Sequence, residues 1–164
     1  MAYAAADWSG FAATVATAAA TLTGLLFIAV SINLQRILEF PNLPNRAAVT
    51  LVMFTFPLIF SLLVIVPGQG GTTLGAELAA TGAVVGALAA YLDRRAGRSQ
   101  YESVASWLAV RIGPRWASCG LVIAAGASLA AGGGGGLYWL VPATLLAIFT
   151  GLFNTWVLLV EILR

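Results

Sequence analysis

The sequence predicts an all-α, polytopic membrane bundle of five transmembrane helices, N-terminus outside and C-terminus inside. Three observations predict it. The 164-residue chain is 60% hydrophobic and 9% charged, with mean hydropathy +0.95, against about 25% charged residues in ordinary soluble domains. Apolar runs of about 20 residues, the length a helix needs to cross a bilayer, recur between polar or Gly/Pro breaks. All the basic residues fall at one side of those runs. A soluble fold of this size leaves roughly a third of its unfolded surface exposed to water, so lipid is the natural solvent for so apolar a chain. The length fits a single integral membrane domain over residues 1–164.

The first span is expected over about 8–34, from Trp8 to the exit marked by Gln35 and Arg36. It has no basic segment ahead of it, so it reads as an uncleaved anchor. Pro41 and Pro44 in "EFPNLPNR" then break the chain, because proline lacks the N–H that a helix interior uses. The second span, about 47–66, ends at the uncharged turn "PGQGG". The third covers about 72–92 and is followed by the polar "DRRAGRSQ". "YESVASWLAV", about 101–110, is too short to span. Its Tyr101, Val104, Trp107 and Leu108 recur at helical spacing, which predicts an interfacial amphipathic helix or an extension of the fourth span. The fourth span, about 114–133, starts on Pro114, where a missing N–H costs nothing. "GGGGG" at 132–136 reads as a turn, since no Lys-Ser/Thr follows to make a phosphate loop. The fifth span covers about 137–162. Pro57 and Pro142 lie within spans, where each frees a carbonyl and can kink its helix.

The basic residues test this count. All eight are arginine, and with five spans every one falls on the same side. The positive-inside rule makes that side cytoplasmic. Trp8, Tyr138 and Trp139 then stand near the outer ends, and Tyr91, Trp107 and Trp116 near the inner ends, as interfacial aromatics do. The expected location is a cell (plasma) membrane. A composition rich in Ala, Gly and Arg and free of Lys points to a bacterial cytoplasmic membrane.

The composition also removes much chemistry. There is no His, so imidazole metal sites and His-based catalysis are excluded, and no Lys, so Schiff-base chemistry is excluded too. The lone Cys119 sits in an apolar run and reads as a small buried hydrophobe. The two aspartates, Asp7 and Asp93, stand at span ends, so no intramembrane aspartate pair exists. No enzyme constellation, metal site or cofactor is expected. The pI near 9.1 arises from arginines scattered at span ends, not from the dense basic face of a nucleic-acid binder.

A few polar and small residues remain to be explained. Gly10, Thr14, Thr17, Thr21, Gly24, Ile28, Ser31 and Gln35 share one face of the first span. Such a stripe reads as a helix-packing seam or as the wall of a polar path. Gly75, Gly82 and Gly86 on the third span predict a tight helix contact, with Gly82 and Gly86 forming a GxxxG step. Glu77 lies about five residues inside the third span. A carboxylate there reaches the headgroups, bonds a neighbouring helix, or serves as an ion or proton ligand. Asn33 lies before the exit of the first span on a different face from Ser31. Asn154 is deep enough to need a hydrogen-bond partner, and Glu161 pairs with Arg164 one turn on.

The stretches "LTGLLFIAVSINL" (22–34), "LPNRAA" (43–48), "VPGQ" (66–69) and "LGAEL" (74–78) resemble a family of small actinobacterial multi-span membrane proteins of unknown function. The resemblance covers the first half of the chain and implies that Ser31, Asn33, Gln69 and Glu77 belong to recurring motifs. The expected role is a non-enzymatic subunit that works through helix–helix assembly, as a homo-oligomer or within a larger membrane complex. The alternative is a small ion or proton channel or transporter using Glu77 and the first-span stripe. The expected partners are the lipid bilayer and other membrane helices, not nucleic acid.

Overall fold

The computed structural model describes residues 2–40, 43–96 and 112–163, and these are predominantly helical, with turns between the helices and no strand. A 3-10 turn over Ala5–Trp8 leads into α1 (Ser9–Ile32), followed by the short α2 (Leu34–Glu39). Then come α3 (Leu43–Ile65), α4 (Gly71–Ala96), α5 (Gly113–Ala131), a second 3-10 turn (Gly136–Trp139) and α6 (Leu140–Leu163). The expected interfacial helix at 101–110 and the Glu161–Arg164 pair lie outside what is described.

Four segments are long and apolar enough to cross a membrane: Ala5–Ile32, Leu43–Ile65, Gly71–Arg95 and Gly136–Val160. The chain is therefore a helical membrane protein. The expected fourth span forms α5 but is not among these four. It is the shortest of the long helices and spends its first turn on Pro114 and Arg115.

Two helix boundaries differ from expectation because proline is harmless in a first turn. α3 starts at Leu43, with Pro44 as its second residue, although Pro44 was expected to precede the helix. Pro142 is the third residue of α6 and so does not interrupt a helix interior. Pro57 does lie inside α3, fully buried. α1 and α2 are split at Asn33, whose backbone leaves the helical region (φ −102°, ψ 14°).

The helices α3, α4, α5 and α6 pack in a closed ring, and α1 leans on the outside of it against α3. The core within the ring includes Met53, Phe56, Phe60, Leu78, Val122 and Ala143, each fully buried. α1 buries only Ala12, Val15, Ala16, Ala19 and Leu26, a stripe at i, i+3, i+4 and i+7 spacing. Of its most apolar window 22% is buried, against 50% for α3.

Backbone contact sets the direction of the helices. An added Cβ on Gly75, near the start of α4, would meet the carbonyl oxygen of Gly126 at 2.6 Å, near the end of α5. One on Gly82 would meet Cys119 O at 3.0 Å. The two helices are therefore antiparallel. Gly151 of α6 lies directly against the ring of Phe54 on α3. Ser118 of α5 donates to the carbonyl of Ala143 on α6 at 2.8 Å. At one end of the bundle stand Arg36, Arg46, Arg94, Arg95 and Arg115; the other end carries the glycine turn.

That turn is built by glycines in the left-handed region, Gly132 (φ 66°), Gly134 (86°), Gly135 (107°) and Gly136 (57°), which side chains with a Cβ avoid. The N-terminal segment closes over it. Leu137 N–H donates to Ala2 O at 2.9 Å, and Gly135 N–H to the Tyr3 hydroxyl at 3.1 Å. Trp8 meets Tyr138 edge to face, with centroids 4.8 Å apart.

Candidate functional site

The first-span stripe does not enter the bundle. Thr14, Thr17, Thr21, Gly24 and Ser31 are all exposed, and neither Gly10 nor Gly24 has an atom within 4 Å of an added Cβ. They form no packing seam within the chain, and the Gly75–Gly86 face of α4 meets α5 instead. Within one chain these hydroxyls line no cavity among the described residues. Each bonds back one turn along its own helix: Thr14 to Gly10 O (2.9 Å), Thr17 to Ala13 O (2.9 Å), Thr21 to Thr17 O (2.8 Å) and Ser31 to Phe27 O (2.8 Å). A hydroxyl satisfied in this way can face lipid or another helix without leaving an unpaired donor.

The stripe is part of a larger pattern. Every exposed residue between Ser9 and Gly24 is Gly, Ala, Ser or Thr. Beyond Gly24 the exposed residues turn bulky, with Leu25, Phe27, Ile28 and Ile32. The outward face of α6 is bulky along its length, with Leu145, Phe149, Leu152 and Trp156. α1 offers the longest smooth face; the outward residues of α4 are small only from Gly71 to Ala83, before Val84 and Leu88.

Asn33 lies at the break between α1 and α2. Its Nδ2 donates to Ala29 O at 2.9 Å, so it satisfies its own helix end. Asn154 differs from expectation: its Nδ2 is buried and has no protein partner among the described residues. A cavity of about 220 Å³ beside α2, lined by Phe27, Leu34, Ile37, Leu38, Ala47 and Leu51 among others, is wholly apolar.

Glu77 is half-buried and pairs with Gln69, whose Nε2 donates to Glu77 Oε2. Thr81 donates to the Glu77 backbone carbonyl at 2.7 Å. This group belongs to the α3–α4 turn, and the structure does not bring it together with the α1 stripe, which lies on the far side of α3.

No family model, curated protein or solved structure matches this chain. Its function therefore has to be read from its own geometry.

Three features escaped the sequence reading. The closest backbone approach between helices pairs Gly75 with Gly126; of the GxxxG step Gly82 is pressed on α5, with Cys119 O at 3.0 Å from an added Cβ, while one on Gly86 would meet only ordinary contacts at 3.8 and 3.9 Å. Gly126 gave no signal in a chain with 18 glycines. Asp93, read as a span-end charge, forms an ion pair with Arg115 (2.5 and 2.6 Å), and Arg115 is only 3% exposed. Gln69 stood in a turn motif, and its pairing with Glu77 across eight residues depends on the turn at Gly68 (φ 73°).

Proposed function

We propose that the protein is a non-enzymatic, self-assembling membrane subunit whose outer α1 face receives a second copy of the chain. The observation that carries this is the smooth face from Ser9 to Gly24 on the least buried span. Lipid gives no hydrophobic drive for helices to associate, so membrane helices meet where small residues let backbones come close. In this chain the glycine faces of α4 and α5 are already spent on each other, and the small outward face of α4, Gly71 to Ala83, is shorter than that of α1. The α1 face is unspent, and its back-bonded hydroxyls cost nothing to bury.

The proposal includes five spans, with α5 as the fourth. Its 19 residues extend about 28 Å, close to the ~30 Å hydrocarbon core, and it lies antiparallel along α4. Five spans gather all eight arginines on one side, which orients the chain N-out and C-in in a bacterial cytoplasmic membrane.

Cysteine cross-linking in native membranes tests the reading. The native Cys119 is 2% exposed and is a quiet background. Thr17→Cys and Thr21→Cys should form dimers on mild oxidation, while Leu145→Cys and Phe149→Cys on the bulky face should not. Equal cross-linking from both faces would remove α1 as the interface.

A further inference from the structure

We propose that Gln69 and Glu77 form a weak binding site for a hard divalent cation such as calcium at the glycine-turn end of the bundle. Two acceptors there are unbalanced. The Glu77 carboxylate is half-buried, and the partner it has is the neutral Gln69 amide. The chain has no Lys or His, and its described arginines all stand at the opposite end. The Gln69 Oε1 atom is buried and has no donor among the described residues. A buried acceptor without a donor and a partly buried anion without a cation are each costly. One cation relieves both, because Gln69 fixes its amide against the carboxylate and so holds its own oxygen within a few ångströms of it.

The donor set is all oxygen and carries one charge, which suits a hard cation that keeps several waters and excludes soft metals. Calcium affinity falls as charged ligands are lost, so a site with one carboxylate lies at or beyond the weak end of known sites, about 10⁻³ M or weaker. The site lies away from α1 and stands or falls independently of self-assembly.

The test is thermal unfolding in mild detergent, followed by tryptophan fluorescence, after chelator treatment and then titration with calcium chloride. The wild-type midpoint should rise and saturate with half-effect at about 10⁻³ M or above. Gln69→Glu keeps an oxygen and adds a charge, so its half-effect should fall on the order of tenfold. Glu77→Gln should lose the rise. The site is overturned by a wild type with no saturable rise, by an equal rise in Glu77→Gln, or by a rise that sodium chloride reproduces at matched ionic strength. If Glu77→Gln does not fold, an unchanged half-effect in Gln69→Glu overturns it alone.

Discussion

Gly75→Ala should force α4 and α5 apart. The new Cβ would sit 2.6 Å from the Gly126 carbonyl oxygen and 3.0 Å from the Ala130 backbone nitrogen. Ordinary contact begins near 3.4 Å, so the helices must separate by about 0.8 Å at this point. Both obstacles are backbone, so no side-chain rotation relieves them. Overpacking of this kind costs about 1–3 kcal/mol, and the better helix propensity of alanine returns up to about 1 kcal/mol. With the full propensity gain, the net loss should be about 0–2 kcal/mol, so Gly75→Ala should be less stable than Gly86→Ala by about the overpacking cost. Gly86→Ala is the internal control. Its Cβ meets Cys119 Cβ at 3.8 Å and Trp116 at 3.9 Å, so it should be neutral or stabilising by up to about 1 kcal/mol. Equilibrium unfolding in mild detergent titrated with sodium dodecyl sulfate measures both. Equal stability for Gly75→Ala and Gly86→Ala would refute the close-approach argument.

The same unfolding assay tests three further expectations. Asp93→Asn should cost about 3 kcal/mol, the low end for breaking a buried pair because Asp93 is 20% exposed; the double variant Asp93→Leu/Arg115→Met should recover most of it, and a strictly additive loss would argue that the two do not act as a pair. Ser118→Ala should cost about 0.5–1.5 kcal/mol, since its hydroxyl joins α5 to α6 through Ala143 O; no change would mean that contact does not hold the two helices. Thr17→Val and Thr21→Val should stay within about 0.5 kcal/mol of wild type, because each hydroxyl serves only its own helix; a larger loss would point to an unseen partner.

The helices were legible because hydropathy and breakers act locally. Spans expected at 72–92 and 137–162 appear as Gly71–Ala96 and Leu140–Leu163, with charge, proline and glycine marking their ends. The four segments of membrane-crossing length are the coarse part of that reading that stands on length and hydropathy alone. Contacts were less legible because they depend on which faces meet. The α1 stripe and the α4 glycines have the same spacing and composition class, yet one faces outward and the other is pressed against α5. The spacing says which residues share a face, not what covers it. Likewise Asp93 and Arg115 stand 22 residues apart across a polar stretch, and only the antiparallel register of α4 and α5 joins them. Asn154 was expected to find a partner across a helix contact, but its position on α6 leaves Nδ2 without one among the described residues.

The central claim is that the outer α1 face seats a second copy. Native mass measurement of the protein in mild detergent, for wild type and for Thr17→Leu/Thr21→Leu, tests it most directly. Both positions are exposed and touch no other helix of the chain closely enough to destabilise the protomer, so far-UV circular dichroism should be the same for both proteins. The account predicts a homo-oligomer for the wild type and a monomer for the variant, because two leucines would hold the helices apart where small residues let them meet. A monomeric wild type, or a variant that keeps the wild-type mass, would contradict it.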